Sequence, residues 1–126
     1  MESELSNKQK RYFNLAKKLS FKSDHIQHRL GCVIVKNNDI LGIGFNKNRT
    51  HPKSMSEFRT LHAEVAAVVN AGEENLEGAT AYIYRQTIGG RLGLSRPCEG
   101  CEALLKSYGI RRIYYTTPQG YQEEHY

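Results

Sequence analysis

Pro97-Cys98-Glu99-Gly100-Cys101-Glu102-Ala103-Leu104-Leu105-Lys106-Ser107-Tyr108-Gly109 runs directly into Ile110-Arg111-Arg112-Ile113-Tyr114-Tyr115-Thr116. Helical patterning gives way here to strand patterning. Pro97 suits the first position of a helix, where its missing N–H costs nothing. Gly109 suits the position just past the end. The β-branched and aromatic run that follows reads as a strand. Upstream, Ala79 to Tyr84 is a second strand-like run. Strand, helix, strand implies a crossover connection and a parallel pair.

Working outward, Thr60 can cap a helix from about Leu61 to Ala71, with Gly72 to end it. Ala63, Val65, Ala66, Ala67, Val68 and Val69 leave that helix little polar face, so it should be largely buried. Leu30 to Val35 and Ile40 to Phe45 flank Asn37-Asn38-Asp39 and read as a β-hairpin. Gly42 and Gly44 mark a bulge or a close approach by a ligand. Leu5 to Leu19 reads as an amphipathic helix that buries Tyr12, Leu15, Ala16 and Leu19. Its Lys8, Arg11, Lys17 and Lys18 form a solvated basic face, with nucleic-acid binding as the competing reading. Asn46 to Arg59 is a polar loop. Thr117-Pro118-Gln119-Gly120 is turn chemistry, and too few residues follow it for another crossover helix. If the tail pairs, it should fold back antiparallel onto the strand of Tyr114; a frayed tail or one docked on a neighbouring subunit is the alternative. The expected fold is α/β, three layers of helix, sheet and helix around one mixed sheet.

The 126 residues fit one domain, 1–126. A net charge of +5 and a pI of about 9.2 favour anionic partners such as nucleotides or nucleic acid. No apolar run reaches membrane-spanning length, and Met1 to Lys10 lacks an apolar signal core. Three cysteines, two of them three apart, fit a reducing compartment better than a disulfide framework. A cytoplasmic protein is expected.

Cys98 and Cys101 lie three apart, which puts both on one face at a helix start. The helix dipole and unpaired N–H groups there favour thiolate, the form that binds metal. A Cys-x-x-Cys redox pair is the other reading. No second Cys or His pair completes a structural zinc site. Cys32, in an apolar strand, reads as a buried inert thiol. Of His25, His28, His51, His62 and His125, only His62 belongs to a buried helix and has an acidic neighbour, Glu64. A carboxylate in an apolar helix is costly unless paired or used. One His and two Cys would hold zinc with a fourth position open to water, and Glu64 would then move protons.

His62-Ala63-Glu64 followed by Pro97-Cys98-Glu99-Gly100-Cys101 resembles the signature of the cytidine and deoxycytidylate deaminase superfamily, His-x-Glu and then Pro-Cys-x-x-Cys. The resemblance covers roughly Leu30 to Thr116. It implies zinc on His62, Cys98 and Cys101, with Glu64 protonating a ring nitrogen and then the leaving ammonia. It implies further that the backbone N–H of Ala63 holds the base and that Asn46 touches substrate; a plain turn residue is the alternative for Asn46. The segment from Arg85 to Arg96 carries Arg85, Arg91 and Arg96, and Arg91 or Arg96 is expected to contact a substrate phosphate unless the loop is only solvated. The activity implied is hydrolytic deamination of a cytosine nucleotide or nucleoside, deoxycytidylate-like. The alternatives are a deaminase acting on cytosine or adenine within single-stranded DNA or RNA, and a non-catalytic zinc-bearing nucleic-acid module. Relatives commonly assemble through these helices, which implies a homo-oligomer.

Overall fold

The computed structural model describes residues 5–23, 29–48, 60–72, 76–87 and 89–126. Along the chain these form α1 (Asn7–Ser20), β1 (Arg29–Lys36), β2 (Asp39–Phe45), β3 (Lys47–Asn48), β4 (Thr60–Leu61), α2 (Ala63–Ala71), β5 (Thr80–Gln86), α3 (Glu99–Ser107), β6 (Arg112–Thr117) and β7 (Gly120–His125). Among the described residues one sheet has five strands in the order β2-β1-β5-β6-β7, and β3 pairs with β4 apart from it. The sheet is mixed, as expected. β5 and β6 are parallel, while β1–β2, β1–β5 and β6–β7 are antiparallel.

Alternation along the strands builds the three layers, because successive side chains point to opposite faces. Val33, Val35, Tyr82, Tyr84 and Tyr114 meet Tyr12, Phe13, Ala16 and Leu19 of α1. Cys32, Ile34, Ala81, Ile83, Ile113 and Tyr115 meet Ala63, Ala67 and Val68 of α2 and Leu105 of α3 on the other face. Tyr82 stacks on Tyr114 across the parallel pair, with ring centroids 5.0 Å apart.

The turn at Asn37-Asn38 places both residues at positive φ (51° and 70°) between the paired Lys36 and Asp39. A two-residue turn with both residues in that region matches the twist of the strands it joins. The final hairpin also forms, with Thr117 paired to Gly120 and Tyr114 to Glu123.

Several boundaries differ from the sequence reading. Thr60 does not cap α2. It lies in β4 opposite Asn48, so the helix starts later and His62 is its N-cap. Pro97 is not the first residue of α3, whose N-cap is Cys98. Ser6 caps α1, and the Ser6 and Gln9 side chains reciprocally satisfy each other's backbone amides. Helix α2 is less buried than expected, since Val69 is 61% exposed. It packs against the edge strand β2, with Val69 and Asn70 exposed. Residues 49–59, with His51, and residues 24–28, with His25 and His28, lie outside the described residues. No helix among the described residues is long and apolar enough to cross a membrane.

Candidate active site

Helices α2 and α3 both adjoin β5 in the chain, one before it and one after. The N-termini of the two helices meet at one cleft with the C-terminal end of β5. Gly42 and Gly44 allow α2 to come this close to the sheet. A Cβ on Gly42 would fall 2.3 Å from the Ala67 carbonyl oxygen. One on Gly44 would fall 2.4 Å from the Ala67 nitrogen and 2.6 Å from the Ala63 oxygen. The close approach read from these glycines is therefore made by a helix, not a ligand. A bulge is present as well, where the β1–β2 register shifts between Ile34 and Val35.

This packing brings His62, the N-cap of α2, to Cys98, the N-cap of α3, and to Cys101 one turn further on. His62 Nδ1 stands 3.2 Å from Cys101 Sγ and 3.8 Å from Cys98 Sγ. All three donor atoms lie within 4.8 Å of one another. Ligands on a tetrahedral zinc at about 2.0–2.1 Å (N) and about 2.3 Å (S) would be about 3.6 Å apart. The two N···S separations bracket that value. One imidazole and two sulfurs are also donors that zinc accepts, so the residues fit the ion. Cys32, Cys98 and Cys101 are free thiols. Cys32 sits in the core as expected, fully buried.

Thiolate is not favoured at Cys101 by the helix end alone. Burial pushes its thiol well above the ordinary value, and the Glu64 charge adds to this. Desolvation disfavours the thiolate there, and a bound cation would favour it. Glu64 is 4% exposed. Burial pushes its carboxyl up to about 7, against an opposing pull from its own backbone amide.

A cleft of about 280 Å³ opens beside these groups. His62, Ala63, Glu64, Cys98, Asn46 and Arg96 line it, as do Leu30, Arg85, Leu94 and Ser95. Asn46 is buried, and its Oδ1 accepts from the Leu30 N–H at 2.9 Å, fastening the end of β2 to β1. The Ala63 N–H lies in the first turn of α2, where backbone donors have no partner within the helix.

Arg96 reaches the cleft, but its guanidinium is held by carboxylates. Nε and one terminal nitrogen form a fork on Glu124, at 2.6 Å and 3.1 Å, and the same terminal nitrogen lies 3.3 Å from Glu102. Arg91 is exposed and is not among the lining residues. The Thr87 N–H and hydroxyl both donate to the Arg91 carbonyl, and Gly93 N–H then donates to the Arg85 carbonyl. Beyond that turn Leu92 pairs antiparallel with Gln86 of β5.

Two features of the site were not singled out from the sequence. Arg85 was read only as part of the basic loop; it lies in β5 and faces the cleft. Ser95 carried no local signal. Its buried hydroxyl donates to the Ile83 carbonyl at 2.8 Å and accepts from the Thr116 N–H at 2.7 Å. These bonds fix the approach to Cys98.

The description "Cytidine and deoxycytidylate deaminase zinc-binding region" matches residues 6–117. The chain is similar to the diaminohydroxyphosphoribosylamino-pyrimidine deaminase of Buchnera aphidicola subsp. Acyrthosiphon pisum, 39% identical over 84 residues that cover 67% of this chain and 48% of that protein. It thus spans about half the length of that relative. It is also similar to the deoxycytidylate deaminase of Mycobacterium phage D29, 26% identical over 125 residues covering 82% of this chain and 90% of that one. In fold it is similar to a cytidine deaminase from Burkholderia pseudomallei, with a TM-score of 0.69, 17% identity, and 96% and 93% of the two chains covered. With the motif, the fold and the match across residues 6–117 in agreement, the chain belongs to the cytidine and deoxycytidylate deaminase zinc-binding family.

Proposed function

We propose that the chain is a zinc-dependent hydrolytic deaminase of a free aminopyrimidine nucleoside or nucleotide, deoxycytidylate-like in kind. The observation that carries this is the donor triad of His62, Cys98 and Cys101 beside a buried carboxylate, Glu64, at one cleft. In this reading His62, Cys98 and Cys101 hold zinc, which when bound supplies a water acidic enough to react at neutral pH. Glu64 is the proton carrier. A carboxyl held near neutrality by burial can take a proton and return it, first to the ring nitrogen and then to the departing amine. The carbon–nitrogen bond breaks, a carbon–oxygen bond replaces it, and one water is consumed for each ammonia released. The Ala63 N–H and Asn46 orient the substrate in the cleft.

The relative named as a diaminohydroxyphosphoribosylamino-pyrimidine deaminase, at 39% identity, favours a second reading in which the ring is that diaminopyrimidine. Both readings share one reaction and one set of residues. Similarity to proteins named as diaminohydroxyphosphoribosylamino-pyrimidine deaminase and deoxycytidylate deaminase supports a monomeric substrate over a base within single-stranded DNA or RNA.

Ammonia release tests the proposal across cytidine, deoxycytidine, dCMP, diaminohydroxyphosphoribosylaminopyrimidine, and single-stranded DNA and RNA. Release from a free pyrimidine is expected. Activity confined to the polymers would refute the monomeric substrate, and no release from any compound by zinc-loaded protein would refute the deaminase.

A further inference from the structure

We propose that Ser95 and Thr116 are positioning residues for the metal centre: their buried hydroxyls form a wedge between β5 and β6 that holds Cys98 within reach of His62 and Cys101. This rests on the reading of the triad as a zinc site and adds what sets its affinity.

The parallel ladder of β5 and β6 ends at Ile83 and Tyr115, although β5 runs on to Gln86 and β6 to Thr117. On their other sides both strands stay paired, β5 with β1 as far as Gln86 and β6 with β7 as far as Thr117. The sheet therefore opens between these two strands at their C-terminal ends, and residues 93–95 enter the gap. Backbone groups facing the gap need partners there, because water does not reach them freely.

Two hydroxyls supply those partners. Ser95 Oγ donates to the Ile83 carbonyl at 2.8 Å and accepts from the Thr116 N–H at 2.7 Å. Thr116 Oγ1 donates to the Gly93 carbonyl at 2.7 Å and accepts from the Arg85 N–H at 3.1 Å. The Ser95 N–H donates in turn to the Thr116 carbonyl at 2.9 Å. Each hydroxyl hydrogen is thus used, and the two oxygens sit 3.0 Å apart. Ser95 is 1% exposed and Thr116 is fully buried, so removing either hydroxyl leaves two backbone groups without partners.

Cys98 is the triad member that most needs such support. Cys101 is buried and His62 half-buried, whereas Cys98 is exposed and has no side-chain capping bond at the start of α3. Its place is set by the chain that leads to it. Only Arg96 and Pro97 separate it from Ser95. Pro97 is buried, and its ring fixes φ, so a shift at Ser95 passes to Cys98 with little slack. Arg96, forked onto Glu124 and paired with Glu102, ties the same link to β7 and α3.

The test measures zinc affinity of the full chain by chelator competition, with cobalt(II) as a spectroscopic stand-in. Thr116→Val keeps the shape and loses one hydroxyl, and Ser95→Ala loses the other. Each should weaken zinc binding by about 10–100-fold, the range for groups that orient metal ligands, and weaken the sulfur-to-cobalt charge-transfer absorption. Thr116→Ser keeps the hydroxyl without the methyl and should bind within about threefold of wild type. Val33→Ala opens the core on the α1 side of the sheet and should lose stability while keeping metal affinity and cobalt absorption. Hydrogen exchange on wild type needs no variant. Coupling is reciprocal, so zinc should slow exchange at the Ser95 and Thr116 amides by a larger factor than at the amides of β1.

Zinc affinity within about threefold of wild type in both Thr116→Val and Ser95→Ala, with unchanged cobalt absorption, would make the wedge purely structural and overturn the proposal. So would an equal loss in Thr116→Ser or in Val33→Ala, or exchange that zinc slows no more at Ser95 and Thr116 than in β1. The exchange result decides the matter if Thr116→Val and Ser95→Ala do not fold. Wild type that binds no zinc would refute the metal reading itself, a failure distinct from variants that bind as well as wild type.

Discussion

His62 Nδ1 lies 3.2 Å from Cys101 Sγ, although 39 positions separate the two in the chain. No local preference brings them together. The meeting depends on α2 packing against α3 and close to the sheet at Gly42 and Gly44. The first prediction is one zinc per chain by elemental analysis of protein purified with the metal present. His62→Ala and Cys101→Ser should each lose most of it. Cys32→Ala should keep it, since Cys32 belongs to the core and not to the triad.

Glu64→Gln should retain zinc and fold while turnover falls by about 10²–10⁴-fold or more, the range for a positioned acid–base group. Its thermal midpoint should be no lower than wild type, because the amide removes a charge that is buried at 4% exposure. Near-normal turnover would take Glu64 out of the mechanism.

Gly44→Ala should lower both stability and zinc content. The new methyl would lie 2.4 Å from the Ala67 nitrogen and 2.6 Å from the Ala63 oxygen, so α2 has to move and His62 with it. Overpacking of this kind costs about 1–3 kcal/mol. Denaturant titration and metal analysis on the same sample would check the two effects together.

Stability should carry an acid-dependent contribution from Glu124. Its hydrogen bonds to Arg96 and to the Tyr115 hydroxyl hold the carboxyl below the usual range. Both stabilise the ionised form in the folded state. Their contribution is therefore present above the unfolded glutamate value of about 4.3 and is lost as pH falls through the lower folded value. Glu124→Gln should be less stable than wild type at neutral pH, and the difference should close in strong acid. The effect should be small and weakened by salt, because both side chains reach solvent.

Much of this was readable before any coordinates. Val33, Val35, Tyr82, Tyr84 and Tyr114 alternate with Cys32, Ile34, Ala81, Ile83, Ile113 and Tyr115, and a period of two assigns each to a layer. The hairpin at Asn37-Asn38 and the final turn at Thr117–Gly120 announce themselves through local backbone chemistry. His62, Glu64, Cys98 and Cys101 stand out because their residue types are costly or unusual where they occur.

What was missed depends on contacts between distant segments. Thr60 has good capping chemistry, but pairing with Asn48 takes it into a strand. Gly42 and Gly44 signal a close approach without naming the partner, which proves to be α2. Three arginines in one segment look alike in sequence. Their settings differ in the structure: Glu124 and Glu102 engage Arg96, Arg85 lines the cleft from β5, and Arg91 is exposed at the Thr87–Arg91 turn. The buried Ser95–Thr116 hydroxyl pair joins a loop to β6 and has no local pattern to betray it.

Turnover of the best free pyrimidine substrate in ¹⁸O-labelled water, with ammonia counted against product, tests the central claim most directly. Zinc-loaded wild type should release one ammonia per product molecule and place one ¹⁸O on the ring carbon that carried the amine, and Glu64→Gln with the same zinc content should do neither at a comparable rate. Product lacking the label, ammonia out of step with product, or full activity in Glu64→Gln would contradict hydrolytic deamination by this site.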